Sequence, residues 1–256
     1  MTYKTPSIKS QRRLAGSHAL ETFFSAYASR LGGRLEERLR PLLRDGETMP
    51  DVTLLLKLLG RYMADLRRAL EGAGKRRADA ITAMRLAYRD RDRAEKEART
   101  RFVDLRQVAA GAYRRQDLES LGLAGRIARH PFPLFRQGTD LLARFSHPDF
   151  VLPEPIIPGV ALSPPVLEEK LRPLVSRLGQ RLQGLLAARR RLEAARVRQS
   201  NALRALERAY VQLGQVAHAL CVLLDEPWLA GRTHRSLRRL DRKLGKDIVH
   251  ENEAEA

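Results

Sequence analysis

A chain of 256 residues is long enough to bury a core of its own without a structural metal or disulfides. Its single cysteine, Cys221, excludes an intramolecular disulfide and a thiolate metal cluster, and favours a reducing, cytoplasmic location. The 48 lysines and arginines outnumber the 30 acidic residues, so nucleic acid and anionic membranes are candidate partners. An arginine-rich composition with good helix propensity explains the same excess without any function.

The chain begins with a basic arm over residues 1–16, followed by an amphipathic helix over residues 17–43. Ser17 is the expected N-cap because its hydroxyl can accept a hydrogen bond from a free N–H group of the first turn. One face of this helix is apolar at Leu20, Phe23, Phe24, Tyr27, Leu31, Leu35 and Leu39. We expect this face to dock on the rest of the molecule, within a first helical repeat unit spanning residues 17–130.

Two proline-free stretches, residues 52–113 and 174–224, predict long helices over residues 52–113 and 166–224. In the second helix a column at sevenfold spacing is almost entirely leucine, and its companion column is rich in alanine. The first helix repeats this design with more alanine and methionine. In the second helix the first column is Leu171, Leu178, Leu185, Leu192, Gln199, Leu206, Leu213 and Leu220, and the companion column is Leu174, Arg181, Ala188, Ala195, Ala202, Ala209, Val216 and Leu223. In the first helix the first column is Leu56, Met63, Leu70, Arg77, Met84, Arg91, Ala98, Leu105 and Ala112, and the companion column is Leu59, Leu66, Ala73, Ala80, Ala87, Ala94, Arg101 and Val108.

Such columns indicate that the two helices pack along alanine-leucine seams, as in a coiled coil. The seam contains polar residues at Arg91 and Gln199, which we interpret as a layer that fixes the register. Whether the helices run parallel or antiparallel stays open, because the connection between them is long enough for either. The sequence therefore predicts an all-α fold, an elongated helical bundle or coiled coil built on two long helices.

A shift of 108 residues, which carries Ala109 onto Ala217, superposes the two long helices and indicates an internal duplication. The shift aligns the triplet that begins at Gln107 with the triplet that begins at Gln215. After a two-residue slip, Leu-Ala-Gly-Arg at Leu123 matches the same four residues at Leu229. We interpret the pattern as a repeated unit with a long helix.

The remaining segments are shorter. Residues 117–128 and 134–145 predict short helices, and residues 131–165 hold eight of the 13 prolines and predict an extended connector. Residues 166–232 form the second long helix and the end of the repeat. A basic helix is expected within residues 233–250, and residues 251–256 form an acidic tail.

Residue patterns for chemistry are absent, so we expect no enzyme activity, no cofactor and no small-molecule substrate. His18 and Glu21, three apart on a helix, are a common surface pair and do not make a metal site. The segment Gly72 to Lys75 lacks the first glycine and the Ser or Thr of a phosphate-binding loop. Cys221 lies in the apolar segment VAHALCVLLD, where a thiol is expected to be buried and inert.

Exposed arginines are the remaining candidate site. The candidate anion-binding residues are Arg189, Arg190, Arg191, Arg196, Arg198, Arg235, Arg238, Arg239, Arg242 and Lys246. A structural or adaptor component of a larger assembly, with a protein partner or self-assembly, is the favoured function. The alternatives are nucleic-acid binding through phosphate contacts and peripheral binding to an anionic membrane surface.

Overall fold

A computed structural model describes residues 8–157 and 162–231, without the side chains of residues 8–13. Within these ranges all regular structure is helical, which confirms the all-α prediction, and the two long helices pack against each other. The elements are α1 (Ile8–Leu39), a 3-10 turn (Arg40–Leu42), α2 (Val52–Ala112), α3 (Arg115–Ser120), α4 (Pro131–Phe145) and α5 (Pro164–Leu223).

The chain forms two compact units, of which unit 1 combines two segments that are distant in sequence and unit 2 is one continuous segment. Unit 1 comprises Met1–Ala78 and Ala195–Ala256, and unit 2 comprises Asp79–Ala194. Each unit therefore contains one half of α2 and one half of α5, and this division crosses the boundaries expected from the sequence. The expected basic helix within residues 233–250 and the acidic tail lie outside the described residues.

The predicted start of the first helix is wrong. α1 already begins at Ile8, so the residues expected to form an arm are largely part of it. Ser17 is not an N-cap but a buried residue inside α1, where its hydroxyl donates a hydrogen bond to the Leu14 carbonyl oxygen at 2.8 Å. A serine hydroxyl bonded back to the preceding turn is compatible with a helix interior.

In unit 1, α1 packs on the first half of α2 and the second half of α5. The core of this unit includes Phe24 and Leu31 of α1, Leu56 and Met63 of α2, and Leu213 of α5. Close contacts of α1 with both long helices give the directions. α1 runs antiparallel to α2, since Gly32 lies against Thr53 and Phe24 against Gly60.

α1 runs parallel to α5, because Gly16 lies against Tyr210 and Arg34 Nη2 donates to the Leu224 carbonyl oxygen at 2.8 Å. A helix antiparallel to α2 and parallel to α5 requires that α2 and α5 run antiparallel. Ion pairs in unit 2 give the same direction: Arg181 pairs with Asp90 at 3.2 Å, and Arg177 pairs with Glu97 at 2.8 Å. The question of direction that the sequence left open is thereby answered.

In unit 2, α4 packs on the second half of α2 and the first half of α5. Gly138 of α4 lies against Phe102 of α2 and Val175 of α5. Gly179 of α5 lies against Phe135 of α4. Absent side chains at these two glycines allow the helices to approach closely, so the core forms around the phenylalanines.

Most of the predicted seam is buried, but the companion columns are wrong at their ends. In α5 the buried residues follow the predicted sevenfold spacing from Leu185 to Leu213. Beyond these helix centres, Arg101, Val108, Val216 and Leu223 are exposed, and Phe102, Ala109, Ala217, Cys221 and Leu224 are buried instead. An α-helix has 3.6 residues per turn, so a buried stripe drifts away from a strict sevenfold column unless the helices supercoil.

The drift recurs with the predicted 108-residue shift. Val108 and Val216 are both exposed, and the next residue in each helix, Ala109 or Ala217, is fully buried at 0%. Equal burial at equivalent positions is what an internal duplication predicts.

The predicted register layer of Arg91 and Gln199 is also wrong. Gln199 Oε1 accepts a hydrogen bond from Arg77 Nη1 at 2.7 Å, whereas the Arg91 guanidinium lies 5.0 Å from the ring centroid of Tyr88 and pairs with Asp92. In an antiparallel pair, a step forward along one helix corresponds to a step back along the other. Gln199 therefore lies opposite Arg77 and not opposite Arg91.

The expected extended connector over residues 131–165 is wrong at residues 131–145, where α4 confirms the short helix expected over residues 134–145. α4 occupies residues 131–145 because Pro131 and Pro133 lie in the first turn, where a proline disrupts no helical hydrogen bond. Residues 148–149 form a turn and residues 150–155 have no regular structure, and Ile156 N donates to the Ala112 carbonyl oxygen at 2.8 Å. The short helix expected over residues 117–128 ends at Ser120.

The buried column of α5 predicts the cost of truncating it. Leu206→Ala and Leu213→Ala should each lower the free energy of unfolding by about 2–5 kcal/mol, since both leucines are buried in unit 1. Urea denaturation measures this change. Leu186→Ala is the matched control, because Leu186 is exposed, and it should change stability by no more than about 0.5 kcal/mol. Equal effects of all three substitutions would show that the column is not core.

Two adjacent glycines of α1 make a second test of the packing. A Cβ at Gly32 would clash with Thr53 Oγ1 and lie 2.8 Å from Thr53 Cα, whereas a Cβ at Gly33 would meet nothing within 4 Å. Gly32→Ala should therefore lower the free energy of unfolding by about 1–3 kcal/mol. Gly33→Ala should raise it by about 0.5–1 kcal/mol, because alanine favours the helix. Thermal melting of both variants distinguishes these signs, and a stabilised Gly32→Ala would contradict the docking of α1 on α2.

Candidate interaction surfaces

The described side chains include no group of three or more His, Cys, Asp and Glu residues that could hold a metal ion. His18 Nδ1 lies 3.5 Å from Glu21 Oε2, but the same carboxylate oxygen accepts a hydrogen bond from Arg67 Nε at 3.2 Å. Glu21 is therefore part of the contact between α1 and α2.

Cys221 is fully buried in the core of unit 1, as its apolar segment predicts. Burial raises the pKa of the Cys221 thiol to about 11, and the nearby Glu226 carboxylate adds to this shift. Only a small fraction of the thiol would be ionised at neutral pH, and the thiolate is the nucleophilic form. The structure therefore indicates a packing role for this residue.

The candidate arginines of α5 are exposed, but they belong to different units. Arg189, Arg190 and Arg191 lie in unit 2, and Arg196 and Arg198 lie in unit 1. Within the described part of the chain, Arg189, Arg190, Arg191 and Arg198 have no ion-pair partner. The other candidates, Arg235, Arg238, Arg239, Arg242 and Lys246, lie outside the described residues.

A second surface, which the sequence did not predict, lies beside the buried column of each long helix in unit 1. On α2 the residues that directly precede the column residues are Leu55, Tyr62, Ala69 and Arg76. On α5 the corresponding row is Arg198, Ala205, Gln212 and Ala219. All eight residues are exposed, although most of them are apolar or small.

Both rows lie on the side of the helix pair that faces away from α1. α1 contacts α2 at Gly60 and Arg67, which lie four residues after column residues. It contacts α5 at Tyr210, which has the same position relative to its column. Each row residue comes one position before a column residue, and each residue that contacts α1 comes four positions after one. These two positions lie about 140° apart around an α-helix, so the rows are on the flank of each helix that is opposite α1. They therefore border one groove, opposite the groove that α1 fills.

We call the surface bordered by these two rows the apolar groove. Three larger apolar side chains lie next to the row residues. Leu58 is 47% exposed, Val216 is 41% exposed and Leu223 is 49% exposed. The antiparallel direction and the contact of Arg77 with Gln199 place Arg76 level with Arg198, at one end of the groove. Leu55 and Ala219 lie at the other end, 21 residues from Arg76 and Arg198 respectively, which is about 31 Å along a helix.

Most of the same row positions in unit 2 carry charged residues, acidic on α2 and basic on α5. Asp90 and Glu97 of α2 precede column residues there, and they pair with Arg181 and Arg177 of α5. Exposed pairs of this kind are typical of a solvated helix surface and contribute little stability. In unit 1 five of the eight equivalent positions carry Leu, Tyr or Ala, and an exposed surface of this kind is typical of one that another protein covers.

A signal for the apolar groove exists in the sequence. Five of the six residues from Leu54 to Leu59 are leucine, which is more than a single helical stripe can bury. Only Leu56 of these five is buried, and Leu59 is half-buried. Val216 and Leu223 fit the spacing of the seam, so spacing alone predicts that they are buried, whereas both are exposed in the structure.

The chain matches no protein-family model, no curated protein and no solved structure. Among the described helices, none combines the length and the apolar character needed to cross a membrane.

Proposed function

We propose that this protein is a non-enzymatic adaptor that binds another protein through the apolar groove of unit 1. The observation that supports the proposal is the exposure of Leu55, Leu58, Tyr62, Val216 and Leu223, each 41% to 54% exposed, along one side of the α2–α5 pair. Large apolar side chains clustered on one surface mark protein interaction sites more often than scattered ones do. The charged residues at the same positions in unit 2 show that the helix pairing itself does not require apolar residues there.

The proposal is tested by recovering partners from cells of the native host. A protein partner that binds in the apolar groove should be recovered with the wild-type chain and lost with Leu55→Glu/Leu58→Glu. Leu186→Glu is the matched control, because it places the same charge on an exposed leucine of α5 in unit 2. Circular dichroism should confirm that all three proteins are folded. Recovery of the same proteins by all three chains would contradict the proposal.

Nucleic-acid binding is the second candidate, favoured by the exposed Arg189, Arg190 and Arg191, which have no ion-pair partner among the described residues. A partner held through phosphate contacts would be lost after nuclease treatment of the extract, and its binding would fall steeply with salt. It would be unaffected by Leu55→Glu/Leu58→Glu. The same recovery experiment thus separates the two candidates. Binding to an anionic membrane surface stays a prediction based on net charge alone.

A further inference from the structure

We infer that the apolar groove binds an amphipathic helix with an acidic end, whose carboxylates pair with Arg76 and Arg198. This inference rests on the proposed adaptor function and specifies the chemistry of the partner. The shape of the site argues for a helix. In unit 1, α1 already fills the opposite groove of the same helix pair with an apolar stripe that includes Leu20, Phe24 and Leu31. Among the described residues, unit 1 contains no further helix on the other side of the pair, so a partner helix there would pack on the same two helices as α1 does.

Side-chain size along the groove indicates where the partner helix comes closest. Leu55, Leu58 and Tyr62 form an apolar end together with Val216 and Leu223. The middle of the groove has only Ala69 and Ala205, so a helix can approach the α2–α5 pair closely there. Apolar anchors spaced by three, four and seven residues on the partner would fit these positions.

The charge on the groove argues for an acidic partner. Arg76 and Arg198 lie level with each other, and neither has a hydrogen-bond or ion-pair partner among the described residues. Two like charges at one level repel each other, whereas the row residues Glu97 and Arg177 of unit 2 have opposite charges and form an ion pair. A carboxylate between the two arginines would remove this repulsion and form charge-assisted hydrogen bonds.

The sides of the groove carry the same sign of charge. Arg61 follows Leu58 by three residues, and Arg208 lies in line with Gln212 and Ala219; neither arginine has an ion-pair partner within the described ranges. The nearby Asp65 is neutralised by Arg68 at 2.6 Å. These charges disfavour a second copy of the chain, which has a net charge of +18, and disfavour the arginine-rich residues 232–246 as occupants.

A pair of synthetic peptides tests the inference on the full chain. Both peptides form a helix of about 21 residues with leucines on one stripe, and their last two turns carry either glutamates or lysines. Fluorescence anisotropy should show the glutamate peptide binding at least about tenfold more tightly than the lysine peptide, because two ion pairs replace two repulsions. A peptide of the same composition as the glutamate peptide, with its leucine stripe scrambled, should bind at least about tenfold more weakly than the intact peptide.

Variants then locate the binding site. Arg76→Glu/Arg198→Glu should reverse the preference in favour of the lysine peptide. Ala69→Glu and Ala205→Glu, at exposed alanines outside the buried core, should each weaken the binding of both peptides by at least about tenfold by blocking the groove. Leu186→Glu, in unit 2, should change neither affinity.

Several results would overturn the inference. These are equal binding of the two peptides, an unchanged preference in Arg76→Glu/Arg198→Glu, and no binding by the full chain. Light scattering that shows a dimer broken by Ala205→Glu would identify a second copy as the occupant. If a host protein is lost with Leu55→Glu/Leu58→Glu but retained by Arg76→Glu/Arg198→Glu, the adaptor proposal survives and only the acidic partner is wrong.

Discussion

The antiparallel packing of α2 against α5 is the constraint from which the other features of both units follow. Each helix buries one stripe of leucine and alanine against the other, and this contact leaves a groove on either side of the pair. In unit 1, α1 fills one of these grooves and provides the aromatic part of the core. In unit 2, α4 packs on the same two helices, with glycines where the helices come closest.

In the proposed function, the residues next to the buried stripe determine whether a surface of the helix pair binds a partner. Where the flanking rows carry acids on one helix and arginines on the other, as at Glu97 and Arg177, the surface is satisfied by its own ion pairs. Where the rows carry Leu55 and Tyr62 and end in Arg76 and Arg198, the surface is apolar with a concentration of positive charge at one end. Apolar contact would give affinity for a partner, and charge would give selectivity.

The sequence alone predicts the long helices well, because a sevenfold column of leucine is a local pattern that only a long buried helix explains. Predictions from the sequence are wrong where contacts between helices determine the structure. Ser17 is an N-cap by residue type, but α1 continues before it. Gln199 belongs to the predicted register layer, but its partner is Arg77, since direction is not encoded in the spacing. Val216 and Leu223 fit the column, yet the drift of the helix turns them outward.

The antiparallel pairing is tested most directly by distances between spin labels on exposed residues of unit 1, in a Cys221→Ala background. Cysteines at Ala69 and Ala205 lie at one level and should give a short, narrow distance distribution. Cysteines at Leu55 and Ala219 should give a similarly short distance, because a step back along α2 corresponds to a step forward along an antiparallel α5. In a parallel pair with Ala69 opposite Ala205, Leu55 and Ala219 would be 28 residues apart along the axis, about 42 Å of helix rise, so a long distance for that pair would contradict the pairing and the groove derived from it.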